Sequence, residues 1–225
     1  MNISAKLFIA AVGLIGCSFS GLSLLGKMNN GRNGRTSPET TASAAPDYTF
    51  NGKISKLVLE NYLERSITMQ RMLTGEGNFE DNLRMIKNIG AKFIGRAVCQ
   101  WGGEADLMKN FATEKMLAAK VHEADPDIIL QACIFEIVTP QIEQVKIPAW
   151  AFRALGMRVE NRNFRYQDIL YADGKMNHQW GEGGVPDVSR PETKLMFYFL
   201  AASYIDAGIE GIHFGQVELM NKNDP

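Results

Sequence analysis

The sequence has no Cys-x-x-Cys pair, and its 225 residues hold only three cysteines and three histidines. That excludes zinc ribbons, thioredoxin-type redox sites and cysteine-ligated iron–sulfur clusters together. His122, His178 and His213 are too scattered for the paired spacings of a metal hydrolase. A Gly-x-Ser-x-Gly elbow is missing, which removes the nucleophile turn of an esterase. No glycine-rich loop ends in Gly-Lys-Ser or Gly-Lys-Thr, so a phosphate cradle of that kind is absent too. Positive charge is not in surplus. Twenty-four Lys and Arg stand against 25 Asp and Glu, which leaves nothing to hold a nucleic-acid backbone. Neither a cofactor nor a metal is expected.

What is present is an ordinary core: 45% of the residues are hydrophobic and 22% charged. The length suits one domain behind an N-terminal extension. In that extension Lys6 precedes an uncharged run from Leu7 to Gly26, and Lys27, Arg32 and Arg35 follow it. The stretch Leu7 to Ile15 has the length of a signal-peptide apolar core. Leu14-Ile15-Gly16-Cys17 resembles the bacterial lipobox, which implies that Cys17 becomes the lipidated first residue of the mature protein. The run continues through Leu22, Leu24 and Leu25, so a cleaved signal and an uncleaved anchor stay open beside lipidation. Export to the periplasm or cell surface is expected, with membrane contact only through residues 1–27. Residues 28–47, rich in Asn, Gly, Ser, Thr and Pro, read as a flexible tether.

From residue 48 the chain alternates strand and helix. Leu57 to Asn61 reads as the first strand, although Leu57, Leu63 and Ile67 could instead share a helical face. Leu83, Ile86 and Ile89 have helical spacing, and Gly90 supplies a C-cap. Lys92 to Cys99 is the second strand, and a helix from about Ala105 ends before Asp125-Pro126. Ile128 to Val138 is a nearly continuous apolar run, as buried parallel strands show. Cys99 and Cys133 lie within these runs and read as buried thiols. An insert spans 139–191, with a short helix near Ala149 to Leu155. It holds Trp150, Phe152, Phe164, Tyr166, Tyr171, His178 and Trp180, and is expected over the mouth of the fold or against the outer helices. A helix from Glu192 to Ala207 and a fourth strand from Gly211 to Leu219 complete the pattern.

Such alternation implies crossovers and a parallel sheet. A dinucleotide-binding turn is missing, since Gly75-Glu76-Gly77 comes late and lacks a third glycine. Glu60, Glu104, Glu136 and Glu218 fall at or beyond expected strand ends, the edge where barrel active sites are built. The expectation is therefore an α/β fold: an incomplete (β/α)8 (TIM-type) barrel of four strand–helix units with parallel strands.

The leader, these acids, Gly95-Arg96 in the second strand and Gln216-Val217-Glu218 after the fourth resemble a (β/α)8-barrel glycoside hydrolase. The nearest likeness is to the large retaining superfamily with its acid/base glutamate after the fourth strand. Val217 stands where that superfamily has asparagine. The resemblance implies Glu218 as acid/base and Arg96 as the arginine beside the catalytic carboxylates, with the nucleophile on a later strand; Glu136, at the end of the third strand, is this sequence's own further catalytic candidate. Cleaving a glycosidic bond needs such a pair, one protonated and one ionised. Trp101 offers a flat plate for a sugar face, and Glu60, Asn61, Glu104, His213 and Gln216 are the remaining candidates to line the site. The structural alternatives are an ion pair between Arg96 and an acid, a packed Trp101, solvated Glu60 and Glu104, and a hydrogen-bonded core His213. Two functions remain open: a carbohydrate-active hydrolase, and a non-catalytic surface-anchored protein that holds a carbohydrate or other ligand. A closed barrel commonly needs about 250 residues. The chain is accordingly expected to be an inactive fragment, its other half missing or supplied by a second copy.

Overall fold

A computed structural model describes residues 53–223. The leader, Cys17 and the tether lie outside the described residues. Seven helices and four strands follow in the order α1 (Lys56–Glu64), β1 (Ser66–Thr68), α2 (Phe79–Ile89), β2 (Phe93–Val98), α3 (Leu107–Ala124), β3 (Ile129–Ile134), α4 (Ala149–Ala154), α5 (Tyr166–Ile169), α6 (Pro191–Asp206), β4 (Gly211–Phe214) and α7 (Val217–Met220). The strands form one sheet in the order β1-β2-β3-β4, and every pairing is parallel.

The expected first strand is a helix. Ser55 caps it by accepting the Val58 N–H at 3.2 Å, and Lys56 and Glu60 sit 3.6 Å apart at i,i+4 spacing. The buried pair is Val58 and Tyr62, while Leu57, Leu59 and Leu63 are exposed. Tyr62 donates its hydroxyl to the Asp127 carbonyl at 2.6 Å, just ahead of β3, so α1 lies against the N-terminal end of the sheet. β1 follows it as three residues.

α2 matches its sequence signals. Asn78 accepts the Asp81 N–H at 3.1 Å, Glu80 and Asp81 occupy the first turn, and Gly90 closes the helix with φ 64.

The core lies on one side of the sheet. Ile94, Ala97, Val98, Leu130, Ala132 and Ile134 pack with Ile86 of α2, with Phe111, Leu117 and Val121 of α3 and with Leu195, Met196 and Phe199 of α6. Side chains alternate along β3, so Cys133 and Phe135 fall on the other face, in a small separate cluster with Cys99. Among the described residues β1 and β4 each pair along one edge only.

The insert is mainly outer-side packing. Ile142, Val145, Ile147, Phe152, Phe164, Tyr166 and Ile169 belong to the helix-side core, and Phe164 meets Phe199 at 5.6 Å. The Arg162 guanidinium grips Glu192, at the start of α6, through two hydrogen bonds of 2.7 and 2.9 Å. Only its later part, through the Val138–Gly184 bridge, reaches the C-terminal end of β3.

Glu114 of α3 is buried at 1% exposure, and its Oε2 has no hydrogen-bond partner among the described residues. Burial pushes this carboxyl up to about 8 from an ordinary 4.5. The folded state therefore holds a proton that the unfolded chain releases near pH 4.5. The associated stability is full below that pH and is lost as pH rises through about 8. Thermal melts at pH 5 and pH 8.5 test this. Glu114→Gln should shrink the fall in Tm between the two relative to the unaltered protein, and an unchanged fall would show that Glu114 is not the group responsible.

Candidate functional site

The C-terminal edge of β3 and β4 is built around one carboxylate. Gly215 donates its N–H to the Ile134 carbonyl at 2.9 Å, the last rung between the two strands. Beyond it the chain turns, and the Gln216 N–H donates to Glu136 Oε2 at 3.0 Å. The Gln216 side-chain amide donates to Oε1 at 2.8 Å. Glu136 is 8% exposed, with both oxygens occupied. A Cβ on Gly215 would stand 1.9 Å from Glu136 Oε2, so the acid sits where only glycine leaves room.

Arg96 sits on a bulge. Between the paired positions Ile94–Leu130 and Val98–Ala132, β2 takes four steps and β3 takes two. Arg96 absorbs the surplus at φ 57, a left-handed conformation that costs a non-glycine residue about 1–2 kcal/mol. Its N–H donates to Gln131 Oε1 at 3.2 Å, and its carbonyl accepts the Arg71 N–H at 3.1 Å. The residue is partly buried, and its guanidinium carbon lies 6.0 Å from the centroid of the Phe135 ring and makes no ion pair among the described residues.

Phe135 is the hub. Trp101 stacks on it at 4.8 Å and 29°, and His213 of β4 meets it edge-on at 6.2 Å. Trp101 remains 55% exposed, so one face of its ring rests on Phe135 while much of the indole meets water. Burial lowers the His213 pKa, the Arg96 charge lowers it further, and Glu136 opposes both. Below neutral pH, His213 therefore stays uncharged longer than an ordinary histidine. Cys99 and Cys133 are buried free thiols on neighbouring strands, as the sequence suggests. Burial, with Cys99 next, pushes the Cys133 thiol up to about 12 and keeps it protonated.

The other candidates separate. Glu104 is buried, not solvated, and accepts the Thr139 N–H at 2.9 Å as well as its hydroxyl. Beneath the loop that carries it is a cavity of about 40 Å³ reached by Gln100, Phe135 and Tyr204. That is room for a few waters at most, and not for a sugar. Glu218 does not end a strand. β4 stops at Phe214, and Glu218 is exposed on the single turn of α7, so it is not held out of water as an acid catalyst would be. Glu60 and Asn61 lie on α1 at the opposite end of the sheet. The expected contact of Arg96 with Glu136 or Glu218 is not formed, because Gln216 occupies the first acid and α7 carries the second. The structure thus brings together Arg96, Trp101, Glu136, His213 and Gln216. Sequence reading passed over Phe135, Gly215 and Gln131. The apolar run hid Phe135, but Gly215 directly after a strand was a readable sign of a close approach.

Comparison with family models, with curated proteins and with solved structures found no match. Among the described residues no group of three or more His, Cys, Asp and Glu could hold a metal ion. No described helix is long and apolar enough to cross a membrane.

Gly215→Ala should evict the Glu136 carboxylate and break both Gln216 bonds. The loss of a seated, hydrogen-bonded acid should cost about 1–3 kcal/mol. Gln216→Ala removes only the side-chain bond and should cost less. Denaturant titration compares the two, and equal or reversed costs would show that Gly215 is not the seat.

Proposed function

We propose that this protein is carbohydrate-active and that it presents a sugar site at the C-terminal edge of a barrel-type sheet. The consecutive strand order and the helices gathered on one side support four successive units of a (β/α)8 barrel. The observation that carries the sugar reading is Trp101, a largely exposed ring backed by the buried Phe135 and set beside the Glu136–Gln216 pair. A ring held rigid from behind loses little freedom when a sugar face covers it, and the amide and carboxylate lie on strands adjoining that platform.

Glu136 replaces Glu218 as the acid of interest, because it is the buried one at this edge. Hydrolysis would need a second carboxylate about 5–9.5 Å away. Glu104 is bound to Thr139, and Glu218 is exposed on α7. This favours the second reading, a non-catalytic surface protein that holds saccharide. Export and anchoring through residues 1–27, with Cys17 as the lipidated residue, belong to the same proposal.

The test uses the full chain, calorimetry against a panel of neutral and acidic oligosaccharides, and product analysis by chromatography. Trp101→Ala should weaken binding of whichever saccharide is held by about tenfold, or 1.4 kcal/mol. Glu136→Gln should abolish any turnover while leaving affinity within about threefold. Binding without products selects the non-catalytic reading. Saccharide binding indifferent to Trp101→Ala would defeat the proposed site.

A further inference from the structure

Arg96 is the unspent charge of this edge. The residue is partly buried, its guanidinium carbon lies 6.0 Å from the centroid of the Phe135 ring, and it makes neither an ion pair nor a side-chain hydrogen bond among the described residues. Glu218 stands exposed on α7 and makes no ion pair with it, and the other candidate acids at this edge are engaged elsewhere. Glu136 accepts two N–H bonds from Gln216, Glu104 accepts two bonds from Thr139, and the nearby Arg71 is bonded to Glu76. A guanidinium beside an aromatic ring with no acid paired to it keeps its N–H donors available to an anion. The backbone adds an independent sign. β2 gives up its register and accepts a left-handed non-glycine residue at this one position, where glycine would sit without strain. Strain of this kind concentrates where a side chain is needed for binding or chemistry.

We infer that the saccharide held at this edge is acidic, and that Arg96 receives its carboxylate or sulfate group while Trp101 carries the sugar ring. The inference rests on the carbohydrate reading given above and narrows it to a substrate class. Guanidinium presents paired N–H donors in a plane that matches two oxygens of either oxyanion. Trp101 and Arg96 both touch Phe135, from 4.8 Å and 6.0 Å, so one sugar with one acidic substituent can reach both. His213 approaches the same ring and, being uncharged, can offer a hydrogen bond without adding a second cation.

Two matched pairs separate the sources of the anion: a galacturonate trisaccharide with its methyl ester, and a sulfated galactose tetrasaccharide with its desulfated form. Calorimetry with the full chain should show the acidic member of one pair binding at least tenfold more tightly than its neutral partner. Arg96→Gln should bring that ratio to within twofold, and Arg96→Lys should retain part of it. Arg96→Gly suits the positive φ, so it keeps the fold, as its Tm will show, and must erase the preference equally. A preference that survives both Arg96→Gln and Arg96→Gly overturns the inference. Neutral sugars bound with no gain for the acidic members also overturn it, and leave the carbohydrate reading standing. Failure of every saccharide, neutral or acidic, to bind removes both.

Discussion

The C-terminal edge of this protein depends on the seating of one buried carboxylate. Glu136 follows β3, and its side chain fills the space that a Cβ at position 215 would need. Just past the last rung, made by Gly215, the Gln216 N–H goes to the acid. The chain then turns into α7, which carries Glu218 off the sheet. An ion held in this way must have its hydrogen bonds made, since an unpaired buried charge is far costlier than a paired one. Gln216 supplies them from both backbone and side chain. Glycine, glutamate and glutamine therefore act as one unit, in which Gly215 leaves the room and Gln216 supplies the hydrogen bonds.

The two faces of the sheet do different work. One is filled by α2, α3, α6 and much of the insert, in a single apolar cluster. The other carries polar and aromatic groups: Gln131, Phe135 and His213, with Arg96 carried beside them on its bulge. Electrostatics on that side are set by burial and by nearby charges, chiefly Arg96, with Arg71 acting at Cys99. Burial holds Cys133 as a thiol and His213 as a neutral imidazole, and Arg96 adds to the second effect. Glu136 and Glu104 have other partners and Glu218 stands exposed on α7, so none of the three pairs with this cation.

The insert shows how aromatic content can mislead. Its rings suggested a cleft, yet Phe152 and Phe164 are buried against α6 and extend the main core. The Arg162–Glu192 fork fixes it to the first turn of α6. What remains at the surface is Trp150, His178 and Trp180, and the last two lie in the later part of the insert, which reaches β3 through the Val138–Gly184 bridge.

Features under local chemical control are legible in the chain. Asn78 and Gly90 bound α2, Asp125-Pro126 stops α3, and the apolar runs place β2 and β3. These signals are read within a few residues, so no distant contact is needed to interpret them. The identity of α1 was nearly as local: the Ser55 cap and the Val58–Tyr62 spacing mark a helix, but the surrounding leucines mimic a strand until burial distinguishes them. The site was only half legible. Arg96, Trp101, Glu136, His213 and Gln216 stood out as unusual residues near strand ends, while their partners did not. Whether Arg96 pairs with an acid is decided by a register slip between two strands and by a glutamine 80 residues from the glutamate it holds. Such contacts are set by tertiary packing, because hydrogen-bond geometry selects among several acids that look alike in the chain. Only the fold could show that Glu136 was taken by Gln216 and that Arg96 makes no ion pair among the described residues.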